Sequence, residues 1–317
     1  MSINMYKLRV RNAKDGAIYL LFGVAVGYLI GLLFTFDAGT DISRHIHLLE
    51  HEVPTQNPKS FDLRCVVIIH KAIHKPEKVI SAIHDGYAKL CQQTIYFTNN
   101  RKVYDVFKND HTMHFVASTL NHFYWSFYQN VMEVLSKVPA QWTFIGDDQT
   151  YLIVPNLQKA LQAFDSESPV ILGKVQDTSN FFSWIFPFSG FKKVSIRGGV
   201  VLSNTAIDKL LACKSFFFAR ASDYALYECS EHFGIQVADP FDEDALRLFN
   251  DLGPKEIITP DVNYFGSRAT KTGKCSDHAI SFGRLSEKDM RVLQYGMTLN
   301  VFGRGGILEQ ESNKTSA

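Results

Sequence analysis

WTFIGDDQ, residues 142–149, is the stretch on which the fold turns. Trp142 to Ile145 is a short apolar run suited to a strand, and the acidic turn Asp147-Asp148-Gln149 comes immediately after it. Upstream, Leu120, Phe123, Tyr124, Phe127, Tyr128, Val131, Val134 and Leu135 recur at three- and four-residue steps. That spacing predicts a helix capped by Ser118 or Thr119, with Pro139 beyond its end. Leu63 to His70 (LRCVVIIH) has the β-branched character of a strand buried on both faces, and Thr94 to Thr98 (TIYFT) reads as a second strand. Lys75 to Leu90, between them, can form a helix. Strands and helices alternating over short links predict an α/β domain with a largely parallel central sheet. Ligands of such sheets gather at the carboxyl ends of the strands, where this acidic turn would lie.

Composition sets the surroundings of that domain. Hydrophobic residues make up 46% and aromatics 13%, enough to fill a sizeable core. The 33 Lys+Arg and 32 Asp+Glu nearly cancel, so nothing marks a partner for nucleic acid. Gly16 to Phe36 carries no charge. As a helix it reaches roughly 31 Å, against about 30 Å of bilayer hydrocarbon. Lys7, Arg9, Arg11 and Lys14 precede it and Asp37 follows, which keeps the amino terminus in the cytosol. A cleaved signal peptide is the competing reading, but its apolar core runs about 7–15 residues and ends at a small-x-small site that is not evident here. The expected organisation is a cytoplasmic tail over 1–15, a transmembrane signal anchor over 16–36, a lumenal stem over 37–62, the lumenal domain over 63–303 and a polar tail over 304–317. Gly23, Gly27 and Gly31 share one face of the anchor, where a second copy could approach to form a homodimer. His45, His47 and His51 fall in the polar stem, and solvation accounts for them better than a metal does.

FIGDDQTYLIVPNLQKAL, from Phe144, resembles the aspartate-rich motif of β1,3-glycosyltransferases of the Fringe and core 1 galactosyltransferase type. ILGKV from Ile171, GGVVLSNTAI from Gly198, SDYALYECS from Ser222 and CSDHAISFGRLSEKDMRVLQYG from Cys275 match the same superfamily in the same order. The resemblance implies a GT-A-like domain in an endoplasmic reticulum or Golgi membrane, of single-pass type II topology. In active members the acidic turn holds Mn²⁺ against the diphosphate of UDP-galactose, since a hard cation needs anionic oxygen ligands. Asp147, Asp148 and Gln149 are the corresponding metal positions, and Gln149 stands where the enzymes carry the directly ligating aspartate. The bland reading of this turn is a polar cap on the next helix. Gly198 and Gly199 open the strand that passes the substrates, two residues shorter than in the enzymes. Asp223 falls at the position of the acceptor-activating base; a surface aspartate favoured by a helix dipole is the alternative.

The short glycine strand and the segment with Met290 and Tyr295-Gly296 resemble the Cosmc-type chaperone branch of the superfamily more than its enzymes. That branch implies core 1 galactosyltransferase as a folding client, and no cofactor. The enzyme branch implies galactose transfer from UDP-galactose to GalNAc-Ser/Thr with Mn²⁺. Client contact would use apolar surface, for which Phe181, Phe182, Trp184, Phe186 and Phe188 are candidates, although burial over the sheet fits them equally. In a lumenal domain the cysteines read as disulfides. Cys65 with Cys91 would tie neighbouring strands, and Cys213 with Cys229 is the second pair; both match cysteines of the superfamily. Cys275 is left as a free thiol or an intermolecular link, and Asn313 heads the sequon Asn313-Lys314-Thr315.

Overall fold

A computed structural model describes residues 23–26, 61–70, 73–177, 192–213, 220–258 and 274–298. Among these no helix is long and apolar enough to cross a membrane. The expected anchor, apart from the helical residues 23–26, lies outside the described residues. So do the stem before Phe61, the aromatic candidates Phe181 to Phe188, and Asn313.

The expected strands form. β1 (Leu63–Ile69), β2 (Gln93–Thr98), β3 (Met113–Phe115) and β4 (Trp142–Asp147) lie parallel in the order β4-β1-β2-β3. The sheet extends past β4 to β9 (Val200–Ser203), β6 (Val170–Leu172) and β10 (Gln236–Ala238), giving seven strands. β9 runs antiparallel to both neighbours, while β10 pairs parallel with β6. The architecture is α/β with a mostly parallel central sheet.

Period-two alternation divides the core between two faces. Cys65, Val67 and Ile69 of β1 point into one hydrophobic cluster, and Val66 and Ile68 into the other. The first is roofed by α1 (Pro76–Asp85), α4 (Val154–Leu161) and α8 (Glu287–Thr298). The second lies under α3 (Trp125–Leu135), α5 (Asn204–Leu211) and α6 (Ser222–Phe233). Both faces are covered, as the apolar run Cys65–Ile69 of β1 requires.

Two helix boundaries differ from the sequence expectation. The helix expected over Lys75 to Leu90 ends at Asp85 and gives way to a single 3₁₀ turn at Ala88–Leu90, with Tyr87 buried. The helix expected from Leu120 begins only at Trp125. Asn99 Nδ2 donates to the carbonyls of Ser118 and Leu120 at 3.2 and 3.0 Å, and the Trp125 amide donates to Arg220 O at 2.9 Å. Ser118 therefore caps a turn, accepting from Leu120 N at 3.2 Å, and residues 118–124 bridge β2 to the start of α6.

Two disulfides are present. Cys65 is joined to Cys91, tying β1 to the approach to β2, and Cys213 to Cys229, tying the end of α5 to α6. Cys275 is a free, half-buried thiol.

Candidate active site

The acidic turn sits at the carboxyl end of β4, where Asp147 is in register with Ile68 of β1. Its polar atoms are held largely by the fold. Asp147 Oδ1 accepts from Thr150 Oγ1 at 2.6 Å and from Gln149 N at 3.0 Å. The Asp148 amide donates to Ile68 O at 3.0 Å, and Asp148 Oδ2 accepts from His70 N at 3.2 Å. Gln149 O accepts from Leu285 N at 2.9 Å, while the Gln149 side chain is exposed.

Two histidines close on this turn. His70 follows the last residue of β1, and its ring lies 5.5 Å from that of His122. His122 is 3% exposed, with Nε2 3.5 Å from Asp147 Oδ2 and no hydrogen-bond partner for that nitrogen among the described residues. Burial lowers the His70 pKa, the neighbouring His122 adds to this, and Asp147 opposes both. Asp148 moves the other way. Burial and then the charge of Asp147 push it up to about 7, against the hydrogen bond from His70.

The residues present do not fit the divalent cation that the resemblance implies. Asp147 Oδ1 is taken by Thr150 and the turn, Asp148 Oδ2 accepts from the His70 amide, and the amide at 149 brings no charge. Among the described residues no group of three or more His, Cys, Asp or Glu side chains is placed to hold a metal.

Asp223 lies in the first turn of α6, whose start is stitched to residues 122–125. Ser222 Oγ donates to His122 O at 2.8 Å, and Ser222 N to Phe123 O at 2.7 Å. Asp223 Oδ1 accepts from Tyr224 N at 3.0 Å; Oδ2 is 3.2 Å from Lys193 Nζ on β8 (Lys192–Val194). The fully buried Tyr128 phenol feels both acidic positions. Burial raises its pKa most, then Asp147, then Asp223. His122 links the two positions, with Nε2 3.5 Å from Asp147 Oδ2 and its carbonyl accepting from Ser222 Oγ beside Asp223, so the structure brings Asp147 and Asp223 to one neighbourhood.

Gly198 and Gly199 sit just before β9, in tight quarters. Gly199 has φ of +76°, and a Cβ there would lie 2.5 Å from the Phe144 ring. A Cβ at Gly198 would lie 2.9 Å from Asn250 O. Internal packing alone requires both glycines. The sequence reasoning passed over His122 and Lys193, which had no distinguishing pattern around them. His70 carried a signal, since it ends a strand whose carboxyl end faces the acidic turn.

A model of the family described as Fringe-like matches residues 71–235, which take in the acidic turn, the glycine strand and Asp223. The chain belongs to this family. Its relatives include glycoprotein-N-acetylgalactosamine 3-beta-galactosyltransferase 1 of Xenopus laevis, 25% identical over 173 residues, or 49% of this chain and 44% of that protein. Human beta-1,3-glucosyltransferase is 31% identical over 98 residues, 30% of this chain and 18% of its own length. The chain therefore spans less than half the length of these curated relatives. Among solved structures, CMP:2-keto-3-deoxy-manno-octonic acid synthetase complexed with CTP aligns at a TM-score of 0.37 and 11% identity, over 57% of this chain and 89% of that one. At that level the likeness carries no functional argument.

Proposed function

We propose that this Fringe-like protein is a catalytically degenerate member of its family, a Cosmc-like chaperone that assists folding of core 1 β1,3-galactosyltransferase. In this reading it is anchored in the endoplasmic reticulum or Golgi membrane by residues 16–36, with the large domain lumenal. The observation that carries the proposal is the state of the acidic turn. Asp147 is bonded to Thr150 and to the Gln149 amide, and the outward-facing side chain at 149 is neutral. A site that must attract a 2+ ion and a diphosphate has lost the carboxylate best placed to do so.

Titration calorimetry with Mn²⁺ present should show negligible UDP-galactose binding by the wild type. Gln149→Asp should raise metal-dependent nucleotide binding by at least about tenfold. Co-expression of the unaltered protein should increase the yield of soluble, active core 1 galactosyltransferase. An unchanged client yield would sink the proposal.

A second reading is favoured by the link through His122 between Asp147 and the start of the helix that carries Asp223, and by similarity to the Xenopus enzyme over 49% of the chain. On that reading the protein transfers galactose from UDP-galactose to N-acetylgalactosamine on glycoproteins, with inversion and with Mn²⁺. Robust transfer to a GalNAc-peptide by the wild type would establish it and displace the chaperone.

A further inference from the structure

The second acidic position is occupied by a side chain of the protein itself. Lys193 Nζ stands 3.2 Å from Asp223 Oδ2, and the two side chains are only 23% and 21% exposed. Its ammonium group also lies 5.4 Å from the centroid of the Tyr224 ring, so α6 holds it by charge and by a cation–π contact. The other oxygen, Oδ1, accepts the Tyr224 amide at 3.0 Å. The preceding residue grips the same helix one turn on, with Lys192 Nζ 6.0 Å from the Tyr227 ring centroid.

A general base must accept a hydrogen bond from the hydroxyl it activates, at about 2.6–3.2 Å between heavy atoms. Here a neutral hydroxyl would have to displace an ammonium ion from a carboxylate. Charge-assisted bonds are about twice as strong as neutral ones, and low exposure weakens solvent screening of this pair. The exchange favours the lysine.

We propose that Lys193 is an internal occupant of the acceptor position, an autoinhibitory contact that closes Asp223 to a sugar hydroxyl. The proposal rests on the reading of Asp223 as the family's base position. It adds a block on the acceptor side, independent of the missing charge at Gln149 on the donor side. Lys193 acts here through Asp223, as a positioning residue.

The test uses full-length protein in detergent and a peptide carrying α-linked GalNAc on threonine, with binding read by saturation-transfer NMR. Lys193→Met keeps an unbranched stem against Tyr224 and removes the charge. It should tighten peptide binding by at least about tenfold over a wild-type value weaker than about 1 mM. Lys192→Met and Lys193→Arg should bind as the wild type does, and adding Asp223→Asn to Lys193→Met should abolish the gain. A lysine that merely braced β8 against α6 would lower the melting temperature of Lys193→Met without creating peptide binding. Equal binding by folded Lys193→Met and wild type would overturn the proposal. A second measurement covers a variant that fails to fold. After reductive methylation with isotope-labelled formaldehyde, the Lys193 resonance should be displaced from those of exposed lysines in the wild type and should join them in Asp223→Asn. A Lys193 signal already at the exposed position in the wild type would equally overturn it. An unchanged client yield would count against the proposed function without deciding this contact, whereas galactose transfer to the GalNAc-peptide by the wild type would overturn both.

Discussion

Replacing Asp148 with asparagine should stabilise the protein at high pH, by an amount that grows with pH. The carboxyl is only 7% exposed, and burial together with Asp147 pushes its pKa from 3.8 to about 7. A group whose folded value lies above its unfolded one binds its proton more tightly in the native state. The stability it contributes is complete below pH 3.8 and is lost as pH rises through about 7. Three pKa units at about 1.4 kcal/mol each set a ceiling of roughly 4 kcal/mol on the loss at high pH. Asparagine keeps an oxygen for the His70 amide but introduces an NH₂ group that must find partners, at a cost of about 1–2 kcal/mol. The net gain should be about 2–3 kcal/mol above pH 8, and the variant should be about 1–2 kcal/mol less stable than the wild type near pH 4. At roughly 2–4 °C per kcal/mol for a domain of this size, that is a melting-temperature rise of about 4–12 °C. Thermal unfolding of full-length wild type and Asp148→Asn in detergent, from about pH 4.5 to pH 8.5, measures it. A difference that does not change with pH would refute the reasoning. So would a large rise in wild-type stability on adding Mn²⁺, because a bound cation would hold Asp148 ionised.

Non-reducing peptide mapping should recover Cys65 joined to Cys91 and Cys213 joined to Cys229, with Cys275 alone; five free thiols in protein taken from the lumen would contradict this. Loops closed over sequence separations of 26 and 16 residues give chain-entropy contributions of about 3.5 and about 3 kcal/mol, so removing either pair should lower stability by that order. Protease added to intact microsomes should spare everything after Asp37, and digestion of the large domain would reverse the orientation. If Asn313 carries a glycan, N-glycosidase treatment should shift the protein's mobility.

Much of the fold was legible because local pattern and tertiary demand agree in the sheet. The apolar runs at Leu63 and Trp142 are buried on both faces, and each became a central strand. The acidic turn was legible for the same reason, since it ends one of those strands. Residues 118–124 were not legible. Their apolar spacing continues that of α3, but side-chain and backbone bonds from Asn99 and Arg220 draw them away from helix. Arg64 shows the same limit inside the core. It is fully buried in β1, with Nη1 donating to the carbonyls of Leu135 and Val138 and Nη2 to Thr143 Oγ1 at 2.8 Å. The guanidinium thereby satisfies carbonyls at the end of α3, and burial lowers its pKa to about 10. A single charged residue in an apolar run gives no sign of that partner across the sheet.

The candidate site divides along the same physical line. Asp147 accepts two hydrogen bonds that the turn needs, so its removal would leave the Gln149 backbone amide without its acceptor and the buried Thr150 hydroxyl with only the Arg197 carbonyl at 3.2 Å. Asp148 anchors the His70 amide at the end of β1. The presence of both aspartates is therefore explained by structure alone and says little about metal chemistry. Gln149 is different. Its side chain is exposed, and among the described residues it makes no hydrogen bond, so the fold places little demand on its identity. A carboxylate at 149 would serve a cation and little else, and packing does not explain the amide there. Gln149→Asp consequently tests the donor site without disturbing the turn, whereas any change at Asp147 tests fold and site together.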